Sequence, residues 1–207
     1  PSWRGDLAGS GIVSDNSVPL KWDRKKNITW RAPLPDRGNS SPIVWGDKLF
    51  ITQATDSDKR RSVMCFNKLT GTMLWQKGLI YNKKEKTHQT NPYCSGSPVT
   101  DGRMVIANYA SAGIVAYDME GEEVWRRDLG LQVHVWGNGT SPVLYSDICV
   151  IYHGPGPNST LYGLDKLSGQ TLWKHKIEEK DDPKRVDGFR GGNGGIVGAF
   201  TTPIVIK

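Results

Sequence analysis

Three short clusters carry the residues of this sequence that could do chemistry. They are His88-Gln89-Thr90-Asn91-Pro92-Tyr93, His134-Val135-Trp136-Gly137-Asn138 and Arg190-Gly191-Gly192-Asn193-Gly194-Gly195. His88 and His134 have the chemistry of general bases or metal ligands. No Ser or Cys nucleophile and no third orienting group can be paired with them from sequence. Asn91, Asn138 and Asn193 offer oxygen to a hard cation such as Ca²⁺, although such sites usually add carboxylates. Tyr93 and Trp136, with Trp45 elsewhere, are aromatic faces on which a sugar ring could stack. The glycine run lacks the Lys-Ser/Thr of a phosphate-binding loop and follows no strand-to-helix transition, so it reads as a linker.

What would position these clusters is a repeat. Asn67-Lys68-Leu69-Thr70-Gly71-Thr72-Met73-Leu74-Trp75 returns as Asp165-Lys166-Leu167-Ser168-Gly169-Gln170-Thr171-Leu172-Trp173, and one residue shorter as Asp118-Met119-Glu120-Gly121-Glu122-Glu123-Val124-Trp125. In each copy Gly precedes Trp by four positions. A second string, Ser41-Pro42, Ser97-Pro98, Ser141-Pro142 and Thr202-Pro203, opens each unit. Two linked signals near a fifty-residue period announce a repeat architecture. Asn67, Asp118 and Asp165 initiate turns through their side chains, and Gly71, Gly121 and Gly169 supply positive φ. A further hairpin follows each opening string, turning at Gly46-Asp47, Asp101-Gly102 and Ser146-Asp147. Each unit is therefore four short antiparallel strands, A to D, which is a propeller blade. Trp30, Trp75, Trp125 and Trp173 share one slot on the outermost strand, where each ring is expected to pack between neighbouring blades.

These Asx-x-x-x-Gly-x-x-x-Trp strings resemble the tryptophan-docking repeats of pyrroloquinoline quinone (PQQ)-like β-propellers. That family includes quinoprotein alcohol dehydrogenases and the propeller lipoprotein of the bacterial outer-membrane barrel-assembly machinery. The resemblance implies an all-β propeller of seven or eight blades in a periplasmic or otherwise extracytoplasmic bacterial compartment. For the dehydrogenases it implies PQQ and calcium on the propeller axis, an Asp base, and a disulfide between adjacent cysteines beneath the quinone. The sequence has no adjacent cysteine pair and no matching acidic and Asn ligand context, so the expected function is a non-catalytic scaffold with no resident cofactor. A PQQ- and Ca²⁺-dependent alcohol or sugar dehydrogenase is the alternative, and a glycan-binding propeller the third reading.

The expected layout is an N-terminal arm at 1–27 and repeats over 28–207. The repeats comprise an orphan outer strand at 28–32, blades at about 41–76, 97–128 and 141–176, and the start of a fourth at 202–207. The orphan strand would belong to a last blade outside this chain, so the chain reads as the first half of a propeller. Trp3 and Trp22 would anchor the arm. Strand parity puts the tight turns on one face and the segments 54–61, 77–94, 129–140, 154–160 and 177–201 on the other. Function concentrates on long loops held by a rigid scaffold. A protein or peptide would bind there or at an open blade edge, and open edges also permit self-association through the missing half's place.

The 207 residues carry a formal charge of +6. The positive residues are scattered among 21 acids, and Lys83-Lys84-Glu85-Lys86, the densest run, reads as a solvated loop, so nucleic acid is not an expected partner. No apolar run is long enough to cross a bilayer as a helix. Cys65, Cys94 and Cys149 lack zinc-site spacing. Cys65 and Cys149 sit in apolar runs as buried hydrophobes would, and a Cys65–Cys94 or Cys94–Cys149 bridge is left open.

Overall fold

The computed structural model describes residues 3–5, 11–12, 18–156, 158–178 and 199–206. They form three four-stranded antiparallel sheets, each with its strands in chain order. The first holds β1 (Ile43–Trp45), β2 (Lys48–Thr55), β3 (Arg60–Asn67) and β4 (Met73–Ile80). The second holds β5 (Val99–Thr100), β6 (Met104–Asn108), β7 (Ile114–Asp118) and β8 (Glu123–Arg127). The third holds β9 (Val143–Tyr145), β10 (Ile148–His153), β11 (Thr160–Asp165) and β12 (Thr171–Lys176).

Side-chain alternation explains why the middle sheet reads as unbroken apolar runs. Successive residues of a strand point to opposite faces. Val105, Ala107, Val115 and Tyr117 face the first sheet and pack with Phe50, Val63 and Cys65. Met104, Ile106, Ile114 and Ala116 face the third and pack with Leu144, Cys149 and Ile151. A sheet covered on both faces needs no polar stripe. β12 has no covering sheet among the described residues, and all six of its residues are exposed.

The shared turn works as its residues suggest. The Asn67 Oδ1 accepts the backbone N–H groups of Leu69 and Thr70, and the Asp165 Oδ1 those of Leu167 and Ser168. The Asp118 Oδ1 accepts those of Glu120 and Glu122. Gly71, Gly121 and Gly169 have φ of 73°, 92° and 71°. The register then slips at the same place in every sheet, between Cys65 and Phe66, Ala116 and Tyr117, and Gly163 and Leu164. The extra residue on the outer strand is Leu74, Val124 or Leu172, the one before the Trp. This bulge re-aims the indole and accounts for the constant Gly-to-Trp spacing.

Each aimed indole meets the turn of the next sheet. A Cβ on Gly71 would come within 2.5 Å of the Trp30 ring, one on Gly121 within 2.8 Å of Trp75, and one on Gly169 within 2.6 Å of Trp125. The Nε1–H groups of Trp30, Trp75 and Trp125 donate to the carbonyls of Lys68, Met119 and Lys166, at 2.7, 3.1 and 2.8 Å. In each case the acceptor follows the turn's Asx residue. Trp173 departs from the expected equivalence: it is 40% exposed against 8% for Trp125, because no further turn lies beside it among the described residues.

Several expectations are corrected. Residues 28–32 and 202–206 form no strand, because among the described residues no neighbouring strand pairs with them. Trp30 nevertheless occupies its slot without one. Trp22 is 66% exposed and is not buried as an anchor among the described residues. The segment 54–61 is no long loop: β2 and β3 reach Thr55 and Arg60, leaving a turn in which Asp56, Ser57 and Asp58 all have positive φ. All three cysteines are free and buried, so neither bridge forms. Burial pushes the Cys65 thiol up to about 11 and those of Cys94 and Cys149 to about 12.

The opening Ser/Thr-Pro string has a function that the sequence did not disclose. The Ser41 N–H donates to the Ser97 Oγ (2.9 Å), the Ser97 N–H to the Ser141 Oγ (2.9 Å), and the Ser141 N–H to the Thr202 Oγ1 (3.3 Å). One hydroxyl per unit thus links the innermost strands in series.

Candidate binding face

The loops that follow the outer strands, 81–98 and 128–142, meet above the inner ends of the sheets and bond to each other. The Asn91 Nδ2 donates to the carbonyls of Trp136 and Asn138. The Asn138 Nδ2 donates to the Thr140 Oγ1 (3.1 Å) and the Gly154 carbonyl (2.7 Å). The His88 ring lies 4.3 Å from that of Trp136, and its Nδ1 shares a hydrogen bond with the Thr90 Oγ1. His134 is buried, its Nδ1 accepting the Trp136 N–H and its ring edge-on to Phe200 at 5.2 Å.

Beneath them sits an ion pair. The Arg61 Nη2 lies 3.1 Å from the Glu85 Oε2, with the two side chains 2% and 5% exposed. The Arg61 guanidinium stacks 3.7 Å from the centre of the Tyr93 ring, and the Tyr93 hydroxyl donates to the Glu85 carbonyl. The Glu85 Oε1 accepts the Ser111 N–H, and Ser111 and Gln132 exchange two bonds between hydroxyl and backbone. Burial raises the Tyr93 pKa, against the lowering influence of Arg61. Losing one partner of such a pair strands a charge in a low-dielectric interior. Glu85 is therefore not part of a solvated run, as its lysine neighbours suggested. Arg61 and Glu85 are 24 residues apart, and only the folded chain brings them together.

His88, Asn91, Tyr93, His134, Trp136 and Asn138 thus come together on one face, while Asn193 lies outside the described residues. The sugar-stacking set does not assemble. Trp45 ends β1 at the opposite, tight-turn face, where a Cβ on Gly102 would touch its ring at 2.2 Å, and Tyr93 is covered by Arg61. A groove of about 690 Å³ runs between the loops and the inner strands, lined by Trp3, Asn91, Ser97, Trp136, Ser141 and Phe200 among others. Trp3 reaches this groove from the N-terminal arm. None of the groove's described lining residues carries a charge.

No family model matches the sequence, and no curated protein does. Solved structures do match. The quinohemoprotein alcohol dehydrogenase ADHIIG from Pseudomonas putida HK5 superposes with a TM-score of 0.54 at 16% identity, over 76% of this chain and 23% of that one. The chain has the β-propeller fold of the quinoproteins. The quinohemoprotein alcohol dehydrogenase from Comamonas testosteroni matches with a TM-score of 0.51 at 15% identity, over 72% of this chain and 22% of that one. BamB from Moraxella catarrhalis matches more loosely, with a TM-score of 0.45 at 13% identity, over 70% of this chain and 41% of that one. The chain thus spans less than half of each of these propeller proteins.

The described residues offer few groups to the quinone and calcium that the resemblance implies. An anionic quinone needs cations along its groove, and the described lining is neutral. The Nδ2 groups of Asn91 and Asn138 donate to backbone carbonyls, which fixes both side chains in the loop layer. Among the described residues no three His, Cys, Asp or Glu side chains approach closely enough to share a metal ion.

Proposed function

We propose that this propeller is a non-catalytic scaffold, extracytoplasmic like the relatives it resembles, that holds a protein or peptide on its long-loop face. The observation that carries the reading is the spending of that face's polar groups on its own architecture. Asn91, Asn138, Tyr93 and Glu85 hold loop to loop and loop to sheet. On the second loop Leu131, Val133 and Val135 stay exposed and present apolar surface on a pinned support, beside the solvated Lys83, Lys84 and Lys86 of the first. A support ordered before binding loses little entropy when a partner docks, which favours recognition.

Site-specific photocrosslinking in the native host tests this. A photoreactive residue at Val135, on the loop face, should give one discrete protein adduct. The same residue at Leu69, on the turn face, should not. Equal labelling at both, or none at Val135, contradicts the scaffold reading. Saturable PQQ binding in the presence of Ca²⁺, with alcohol-dependent dye reduction, replaces it with the dehydrogenase.

A further inference from the structure

A small chamber lies under the loop face, between the Glu85 loop and the start of the Gln132 loop. It leaves about 20 Å³ open to the centre of a water-sized sphere, enough for one water molecule. Its wall includes Glu85, Asn108, Gln132 and Asn138. Gln132 is 8% exposed, and both its amide atoms, Nε2 and Oε1, are buried without a hydrogen-bond partner. The backbone of Gln132 is fixed by its two bonds to the Ser111 hydroxyl, which anchors the base of the side chain at the chamber wall. A buried primary amide lacking all partners loses the hydration it had in the unfolded chain and regains nothing. The neighbouring amide nitrogens are already committed, the Asn108 Nδ2 to Thr140 and the Asn138 Nδ2 to Thr140 and Gly154, while the Asn108 Oδ1 accepts the Ala110 N–H and the Asn138 Oδ1 the Asn108 Nδ2, each oxygen keeping a second lone pair.

We propose that this chamber is a specific site for a single ordered water molecule, which bonds to the Gln132 amide and bridges it to the Asn108 and Asn138 side chains. The size of the chamber excludes any organic ligand. Its wall carries two charged residues, Glu85, already neutralised by Arg61, and Lys86, so a neutral occupant fits better than a cation. The water joins Gln132 and Asn138 of the second long loop to Asn108 at the end of β6, and so adds to the polar layer that supports the face above. This inference does not rest on the scaffold reading; it would hold equally for a dehydrogenase.

A crystal structure of the full chain at high resolution, grown once in sodium and once in potassium salt, tests it directly. A peak within about 3.2 Å of the Gln132 amide, unchanged between the salts, is expected. In solution, oxygen-17 relaxation dispersion should count one fewer long-lived water in Gln132→Met than in the unaltered protein. A Gln132 amide bonded to protein groups with no peak beside it would overturn the proposal. So would a peak whose density rises with potassium, or an unchanged count of long-lived waters. The crystallographic arm needs no variant and stands if Gln132→Met fails to fold.

Discussion

The two faces of these three sheets are held together by different means. On the turn face each connection is short and repeats, the bonds within a turn are local, and one indole bond per turn ties it to its neighbour: the Asp165 Oδ1 caps N–H groups two and three residues ahead, and the Trp125 Nε1–H reaches the Lys166 carbonyl. On the loop face the connections differ in length, and the decisive bonds span long stretches of chain: Arg61 to Glu85, Asn91 to Trp136, Ser111 to Gln132. The comparison teaches that regular turns set the blade, while irregular loops are made rigid by burying charge and amide groups beneath them. It also marks where variation is tolerated. A turn-face substitution acts on one turn and the indole docked on it, whereas Glu85 acts on its own loop, on Arg61 of β3 and on Ser111 at once.

The largest effect is expected at that buried pair. Glu85→Gln leaves the Arg61 charge without its partner and should destabilise by about 3–5 kcal/mol in denaturant unfolding. Replacing both, Arg61→Met with Glu85→Leu, should recover much of that loss. A double variant as unstable as the single would mean that the pair is not what holds the loops.

Next come the tryptophans. Trp125→Ala removes a docked indole and should cost about 3–5 kcal/mol. Trp173→Ala removes a ring with no turn beside it among the described residues and should cost about 1 kcal/mol or less. Equal losses at the two positions would show that docking on the next sheet's glycine is not the source of the stability.

A smaller, pH-dependent effect is expected at His153. It is buried, its Nε2 bonds the Gly130 carbonyl, and burial lowers its pKa below the ordinary 6.5. The unfolded chain therefore binds a proton that the native state resists. Stability is unaffected above about pH 6.5, falls as the pH drops below that value, and levels off once the native pKa is passed. His153→Phe should flatten this slope in unfolding curves between about pH 7 and pH 5. An unchanged slope would assign the acid sensitivity to other groups.

The difference between the faces also governs what could be read from the sequence. The strands, the Asx and Gly turns and the constant Gly-to-Trp spacing express local geometry, and local geometry leaves a periodic mark. The bulge at Leu74, Val124 and Leu172 lay hidden inside that spacing, because an extra residue repeated in every copy looks like part of the motif. The Ser97 and Ser141 hydroxyl links were present in the opening string, but their partners lie one blade away. Glu85 could not be recognised among Lys83, Lys84 and Lys86, since its burial depends on a strand 24 residues earlier. Gathering His88, Asn91, His134, Trp136 and Asn138 on one face followed from strand parity alone. That Asn91 and Asn138 act as braces did not, because a free amide and a bonded one are written with the same letter.

Hydrogen exchange resolved by residue tests the central claim, that the long-loop face is a rigid support, most directly. The amides of Ser97, Ser111, Gln132 and Gly137 all donate within the protein, three of them across the loop layer. They should be protected to nearly the level of β6 and β7 and lose that protection in Glu85→Gln. Exchange of these amides at the rate of an open loop in the unaltered protein would contradict the account.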